Sequence, residues 1–264
     1  MLIEIKGAMY NLHMSNSLRL AELLASLSLA TDIGTGEPME KAMRACLLAI
    51  RFGEKLGLSN SDLQDLYYLT LLRYIGCTAS NQLLAAIFGD TNVLRSQTPL
   101  VDYTSQMETM RAIVQFIGAG LPLLQRASTL MTALATMVGN NHELMTSHCE
   151  VAQMLAGRLG LSEMVQTALG QVTERWDGDG LPAGLKGENI LLIMRVANLA
   201  HGVSVFHRVG GVEGAVNMTR KWSGGALDPD LVERFCRDAP YLCQAMEVES
   251  IWSTVLEAEP GTRL

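Results

Sequence analysis

Residues 174–182, which read Glu-Arg-Trp-Asp-Gly-Asp-Gly-Leu-Pro, constrain the fold more than any other part of the sequence. They stand where one long helical pattern stops and another begins. The two glycines allow backbone angles that other residues avoid, and Pro182 prevents a helix from continuing through it. The stretch therefore predicts a compact acidic loop between two helices, in which the carboxylate of Asp177 or Asp179 caps backbone amides.

Helical periodicity dominates the rest of the chain, and strand signals are almost absent. Residues 37–56 repeat apolar side chains at steps of three and four, and Gly57 ends this pattern. Ser59 and Asp62 have the spacing of a capping box, which predicts that the next helix begins there and runs to about Tyr74. Other helices are predicted at residues 17–31, 80–88, 104–117, 121–138, 142–159, 161–176, 188–208, 212–222 and 228–237, and residues 240–257 complete the fold. The sequence therefore predicts an all-α fold, an irregular multi-helix bundle.

The composition excludes several classes of protein. The formal net charge of −7 and the lack of Lys and Arg clusters argue against a nucleic-acid surface. The five cysteines are odd in number and form no C-x-x-C pair, which indicates reduced thiols rather than a disulfide framework or a zinc knuckle. No signal peptide and no apolar run of membrane-spanning length is evident. These features predict a cytoplasmic protein without a membrane partner.

Two motifs resemble those of the HD-GYP phosphohydrolases, metal-dependent enzymes that open cyclic di-GMP. One is the Trp-Asp-Gly-x-Gly-x-Pro loop at residues 176–182, and the other is the Asp-Pro motif within residues 225–235. The resemblance covers roughly residues 37–76 and 147–237. It implies an HD-domain-like helical bundle, in which ligands on several helices face one cavity and hold one or two metal ions.

The resemblance also implies a division of the chain. Residues 1–36 are expected to form a helical lead-in, and residues 37–258 an HD-GYP-like domain with an insertion at about 78–140. Residues 259–264 have no helical pattern and are expected to be a linker to a further C-terminal part. Modules of this kind occur in actinobacterial signalling proteins, some of them attached to a LuxR-type DNA-binding region.

The expected metal ligands are largely replaced in this chain. Six positions where the family has ligands hold other residues here: Lys41, Arg73, Tyr74, Val172, Thr173 and His201. A guanidinium is always charged and has no lone pair, so Arg73 cannot bind a cation. His148 matches a family histidine, so His148 and His201 remain as candidates for binding a metal or a ligand. Two histidines do not complete a zinc site, and we expect a degenerate site with no metal or other cofactor.

The pocket candidates are Lys41, Arg73, Tyr74, Glu174, Asp177 and Asp179. The two cations are expected to be solvated, to pair with carboxylates such as Glu174 or Asp177, or to line a pocket that holds a small anion. The two histidines are otherwise explained as hydrogen-bonded core residues.

Three functions follow from these residues. The first is a non-catalytic signalling or regulatory module that binds a protein partner, a second copy of itself, or a small anion such as a cyclic dinucleotide. The alternative is an active phosphohydrolase, a cyclic di-GMP phosphodiesterase with iron, manganese or zinc at an atypical site around His148 and His201. The third is a histidine-ligated cofactor, such as haem, in the same cavity.

Overall fold

The computed structural model describes residues 19–76, 110–111, 114–115 and 121–261, without the side chains of residues 133–141 and 144. This part of the chain is helical and contains no β-strand, so the predicted all-α class is confirmed. Its α-helices are α1 (Leu20–Gly34), α2 (Lys41–Leu56), α3 (Asn60–Leu72), α4 (Leu123–Arg158), α5 (Glu163–Leu169), α6 (Leu192–Trp222), α7 (Pro229–Cys243) and α8 (Ile251–Glu257). Two short 3₁₀ turns lie at Gly187–Asn189 and Gln244–Met246.

Helices α2 and α3 form the centre of the bundle. Helix α2 packs against α3 and α6 and also contacts α1, α7 and α8. Most of its residues are buried, although the sequence pattern predicts only one apolar face. The central helices therefore hold every neighbouring element in place through burial of apolar surface.

Helix α3 begins as predicted and ends just before two candidate site residues. The Ser59 hydroxyl accepts a hydrogen bond from the backbone N–H of Asp62 at 3.1 Å. The helix ends at Leu72, so Arg73 and Tyr74 lie in the following turn. A Cβ atom on Gly76 would overlap the carbonyl oxygen of His148, so α4 packs directly against the backbone of this turn.

Helix α4 takes the place of two separate helices, which the sequence predicted at residues 121–138 and 142–159. It runs without interruption through Gly139, Asn140 and Asn141, the residues between them. Glycine and asparagine lower helix propensity by about 1 kcal/mol or less each, which is too little to break a helix whose backbone hydrogen bonds continue on both sides. The predicted helices at 80–88 and most of 104–117 lie outside the described residues.

The segment that precedes the acidic loop also differs from its predicted form. The predicted helix over 161–176 ends at Leu169 instead. The backbone beyond it is engaged elsewhere, because the carbonyl of Thr173 accepts from Leu181 N at 3.2 Å. A continuing helix would use these carbonyls internally.

Two glycines and one aspartate divide the C-terminal half as predicted. Gly210 and Gly211 have non-helical backbone angles inside α6, and the φ of Gly211 is +61°. The side chain of Asp228 caps α7 by accepting from Asp230 N at 2.9 Å, and Pro229 follows at the first helical position. Helix α7 continues past the predicted end at 237 to Cys243.

Among the described helices, none combines the length and apolar composition that crossing a bilayer requires.

Candidate functional site

Two of the three acidic candidates of the loop stabilise the loop itself. Glu174 is only 2% exposed, and its carboxylate accepts the backbone amides of Ala183 and Leu185 at 2.7 and 2.8 Å. Asp177 accepts the amide of Asp179 at 3.0 Å, as predicted for a capping aspartate, whereas the Asp179 side chain is exposed. These bonds give Glu174 and Asp177 a structural role.

An ion pair fixes the charge of Asp177. Its carboxylate lies 2.7 Å from the guanidinium of Arg175. Partial burial acts to raise the pKa of Asp177, but the hydrogen bonds from Arg175 and from the Asp179 amide outweigh it, and the pKa is lowered. Asp177 is therefore ionised at neutral pH and already paired.

The loop is joined to the Asp-Pro motif by backbone bonds and through the side chain of Arg195. The amide of Asp177 donates to the carbonyl of Gly225 at 2.9 Å. Arg195 Nη1 lies 2.6 Å from Asp228 Oδ2, and the Arg195 guanidinium stands 5.6 Å from the ring centre of Trp176. We name residues 174–185, Arg195 and 224–228 the motif frame, because the two motifs that carry the resemblance form one connected structure.

Four of the other candidates meet at a second place. The Tyr74 hydroxyl lies 2.6 Å from Nε2 of His201, and Arg73 Nη1 donates to the same hydroxyl at 2.9 Å. The Nζ atom of Lys41 stands 4.6 Å from the centre of the Tyr74 ring. We name Lys41, Arg73, Tyr74 and His201 the cationic cluster.

Arg73 is a buried cation with neutral partners. It is 8% exposed, and Nη2 donates to the carbonyl of Val172 at 3.2 Å and to Asn198 Oδ1 at 2.6 Å. Within the described residues, no carboxylate lies at ion-pair distance from Arg73, and its Nε has no hydrogen-bond partner. Burying a charge without a counter-ion costs several kcal/mol unless other groups compensate it.

Lys41 is paired, but not with the predicted carboxylates. Its Nζ lies 3.0 Å from Oε2 of Glu37, which is four residues earlier, in the connection between α1 and α2. The expected pairing of Lys41 and Arg73 with Glu174 or Asp177 is therefore wrong, because those carboxylates are used inside the motif frame. The expectation that the two cations are solvated is also wrong, because both side chains are buried. Burial lowers the pKa of Lys41.

A buried carboxylate on α1 also acts on Lys41. The side chain of Asp32 accepts the amide of Ala42 at 3.4 Å. Burial raises the pKa of Asp32 to about 6, although Lys41 and this amide oppose the shift. The region around the cluster therefore contains ionisable groups held away from water on both α1 and α2.

His201 is neutral at physiological pH. Its pKa lies well below the ordinary value because burial, Lys41 and Arg73 all disfavour a positive charge. Arg73 only donates, so we assign the phenol proton of Tyr74 to the bond with His201 Nε2 and the imidazole proton to Nδ1. Nδ1 has no hydrogen-bond partner among the described residues.

The residues of this site do not fit a metal ion. The cluster contains two cations and one ligand of the usual kind, the imidazole of His201. In the described part of the chain, no three His, Cys, Asp or Glu side chains are arranged to hold a metal. His148 is buried beside Gly76, next to the turn that carries Arg73 and Tyr74.

Sequence reasoning missed Asn198 and Asp32. Asn198 precedes His201 by three residues on α6, so both side chains are on one face of the helix. That spacing is visible in the sequence. No comparable signal identifies Asp32, because its contact with the start of α2 depends on how the helices pack.

Comparisons with known proteins agree with this architecture. Residues 117–209 match the family model described as the HD domain. The 3'3'-cGAMP-specific phosphodiesterase 3 of Vibrio cholerae serotype O1 is 30% identical over 220 residues, which are 83% of this chain and 47% of that protein. The crystal structure of the V. cholerae cyclic GMP-AMP specific phosphodiesterase V-cGAP3 matches with a TM-score of 0.66 and 28% identity, over 91% of this chain and 54% of that one.

The chain contains an HD-domain phosphohydrolase-like module. The resemblance predicted from the two motifs is therefore confirmed as far as the HD-domain phosphohydrolase-like module. The chain spans about half the length of the V. cholerae protein and of the matched structure. Of the functions predicted from the sequence, the comparisons favour the phosphodiesterase over the non-catalytic module. The degenerate state of the site, the division into domains and the LuxR link stay predictions.

Proposed function

We propose that this chain binds a cyclic dinucleotide through the cationic cluster. The observation that carries the proposal is Arg73, a buried guanidinium whose described partners are all neutral. A phosphate group would supply the missing negative charge. The V. cholerae relative, named as specific for 3'3'-cGAMP, supports this class of ligand.

The donors of the cluster suit a phosphodiester. A guanidinium binds phosphate oxygens with directed N–H bonds. Nε of Arg73 and Nδ1 of His201 are buried and have no described hydrogen-bond partner, and a phosphate that enters the cluster would satisfy them. Lys41 adds a second positive charge, which Glu37 partly offsets. In this proposal the bound dinucleotide is a signal that the module transmits to a protein partner or to a second copy.

Hydrolysis of the dinucleotide is the second candidate, because both matched proteins are phosphodiesterases by name. The iron, manganese or zinc that the resemblance implies does not fit the described donor set. The haem alternative has no support from the described contacts, because Nε2 of His201 faces Tyr74. Binding is therefore the function that the geometry of the site supports best.

Calorimetry with 3'3'-cGAMP tests the proposal. We expect Arg73→Met to weaken binding roughly 10- to 100-fold, which is the value of a charge-assisted hydrogen bond. Arg51→Met is the matched control, because Arg51 lies on α2 and contacts Tyr241 instead of the cluster. Failure of the wild-type chain to bind, or equal affinity in Arg73→Met, contradicts the proposal.

The same samples decide the second candidate. Incubation with 3'3'-cGAMP and chromatography of the products measures turnover in EDTA and in added MnCl₂. Turnover that needs manganese supports a metal-dependent enzyme with ligands outside the cluster. Binding without turnover supports the non-catalytic module.

A further inference from the structure

We propose that Tyr74 is the nucleophile of a metal-independent phosphodiester cleavage in the cationic cluster, with His201 as its general base. This inference rests on the proposed function, because the substrate must first bind there. It would explain how a relative of phosphodiesterases acts with a site that does not fit a metal.

The geometry is that of an activated nucleophile. A hydroxyl within hydrogen-bond reach of a neutral imidazole can pass its proton to the ring as it attacks, and Tyr74 Oη lies 2.6 Å from His201 Nε2. The same oxygen accepts from Arg73 at 2.9 Å, which stabilises a developing phenolate. Tyr74 and His201 are partly exposed, whereas Lys41 and Arg73 are buried. The two cations are thus buried against a phenol that is itself half-buried.

The cluster also supplies the charges that phosphoryl transfer needs. Negative charge in the transition state spreads over the phosphoryl oxygens, the attacking oxygen and the leaving oxygen. Metal ions often stabilise it, but preorganised cations in a site of low dielectric serve the same purpose. Arg73 is directed at the attacking oxygen, and Lys41 lies on the face of the same ring.

The first step balances with these groups alone. Tyr74 Oη forms a bond to phosphorus, and the ester bond to one ribose oxygen breaks. The phenol proton passes to Nε2 of His201. The leaving ribose oxygen takes a proton from the ammonium of Lys41, whose pKa is lowered by burial.

The second step restores the site. Water attacks the phosphotyrosyl phosphorus, and the bond between Tyr74 Oη and phosphorus breaks. One proton of the water passes to Lys41, and the imidazolium of His201 returns its proton to Oη. The net reaction consumes one water and gives a linear dinucleotide with one phosphate end and one hydroxyl end.

The test uses the whole chain, dialysed against EDTA and incubated with 3'3'-cGAMP. We expect linear product without added metal. Tyr74→Phe should lower the rate about 100-fold or more, since both the nucleophile and its proton transfer are lost, while affinity changes less than about threefold. Tyr241→Phe is the matched control, because Tyr241 is an exposed tyrosine that packs against Arg51 and Lys55, and its rate should equal that of the wild type.

A covalent adduct provides a readout that does not depend on any variant folding. Acid quenching of the wild-type reaction followed by peptide mass spectrometry should find the dinucleotide on Tyr74. The inference is overturned by turnover that requires manganese, by Tyr74→Phe as fast as wild type, or by tight binding without product or adduct. Failure to bind at all refutes the proposed function instead, and calorimetry measures that separately.

Discussion

The motif frame and the cationic cluster both include residues of helix α6, but they differ in how buried charges are compensated. In the frame, Glu174 accepts two amides and Arg195 pairs with Asp228. In the cluster, the described partners of Arg73 are neutral, and His201 on the same helix is held unprotonated. The residues that carry the family resemblance thus stabilise the fold, while four of the six departures from the family form the cluster where we propose that a ligand binds. The two motifs are therefore evidence for the fold and say little about the chemistry of the cluster.

Breaking the ion pair of the frame should have the largest effect. Arg195→Met leaves the buried carboxylate of Asp228 unpaired, and we expect the free energy of unfolding to fall by about 3–5 kcal/mol. Urea unfolding followed by circular dichroism measures it. Arg234→Met, which removes an exposed pair with Asp230, should change stability by less than about 1 kcal/mol. If both variants lost the same free energy of unfolding, the buried ion pair of the motif frame would be no more stabilising than an exposed surface pair.

Removing a charge near the cluster should stabilise the protein in a pH-dependent way. The pKa of Asp32 is raised from 3.8 to about 6, so the folded state binds this proton more tightly than the unfolded state. The contribution of Asp32 to the free energy of unfolding is therefore fully present below about pH 4 and is lost as the pH rises to about 6. Asp32→Asn should match the wild type near pH 4 and exceed it by about 3 kcal/mol at pH 7.

Urea titrations at several pH values test this expectation. Asp179→Asn, a change in an exposed side chain of the motif frame, should show no such pH-dependent gain. An Asp32→Asn variant that is less stable than wild type at pH 7 would mean that Asp32 stabilises Lys41 by more than its own burial costs.

Glu174→Gln tests how much the buried carboxylate of Glu174 stabilises the acidic loop of the motif frame. Glutamine keeps one acceptor but turns an NH₂ donor towards one of the two amides, so we expect a loss of about 2 kcal/mol. Thermal unfolding at pH 7 measures the change. Glu188→Gln alters an exposed side chain nearby and should leave the melting temperature within error. A loss no larger than that of the control would show that the frame does not depend on this carboxylate.

The smallest effect on stability is expected for Arg73→Met. The variant loses hydrogen bonds to Val172 and Asn198 but no longer buries an uncompensated charge. The lost hydrogen bonds destabilise the fold and the removal of the buried charge stabilises it. The net change in the free energy of unfolding should therefore stay within about 1 kcal/mol. Urea unfolding measures it in the absence of ligand. A loss above about 3 kcal/mol would give Arg73 a structural role like that of Arg195.

Local signals in the sequence predicted several features of the fold. The capping residues Ser59 and Asp228 mark helix starts, and Gly210 with Gly211 marks the break in α6. These features depend on hydrogen bonds between near neighbours in the chain. The interruption predicted at Asn140 failed because weak propensities do not stop a long helix.

The candidate site was predicted in part, and by a different route. Alignment of Lys41, Arg73, Tyr74 and His201 with family ligand positions brought together residues from three separate segments. Periodicity alone could not have done so, because it holds no information about tertiary distances. The partners of Arg73 were mispredicted for the same reason: opposite charge suggested Glu174, whereas packing supplied Asn198.

The contact at Gly76 has a consequence for how such sites evolve. The turn that carries positions 73 and 74 is held against α4 through main-chain atoms, with no room for a side chain at Gly76. The path of the backbone at Gly76 is thus fixed by main-chain packing as well as by the side-chain contacts of Arg73 and Tyr74. Substitutions at positions 73 and 74 would leave this main-chain contact in place, so side chains of the turn could change without first rebuilding the surrounding helices.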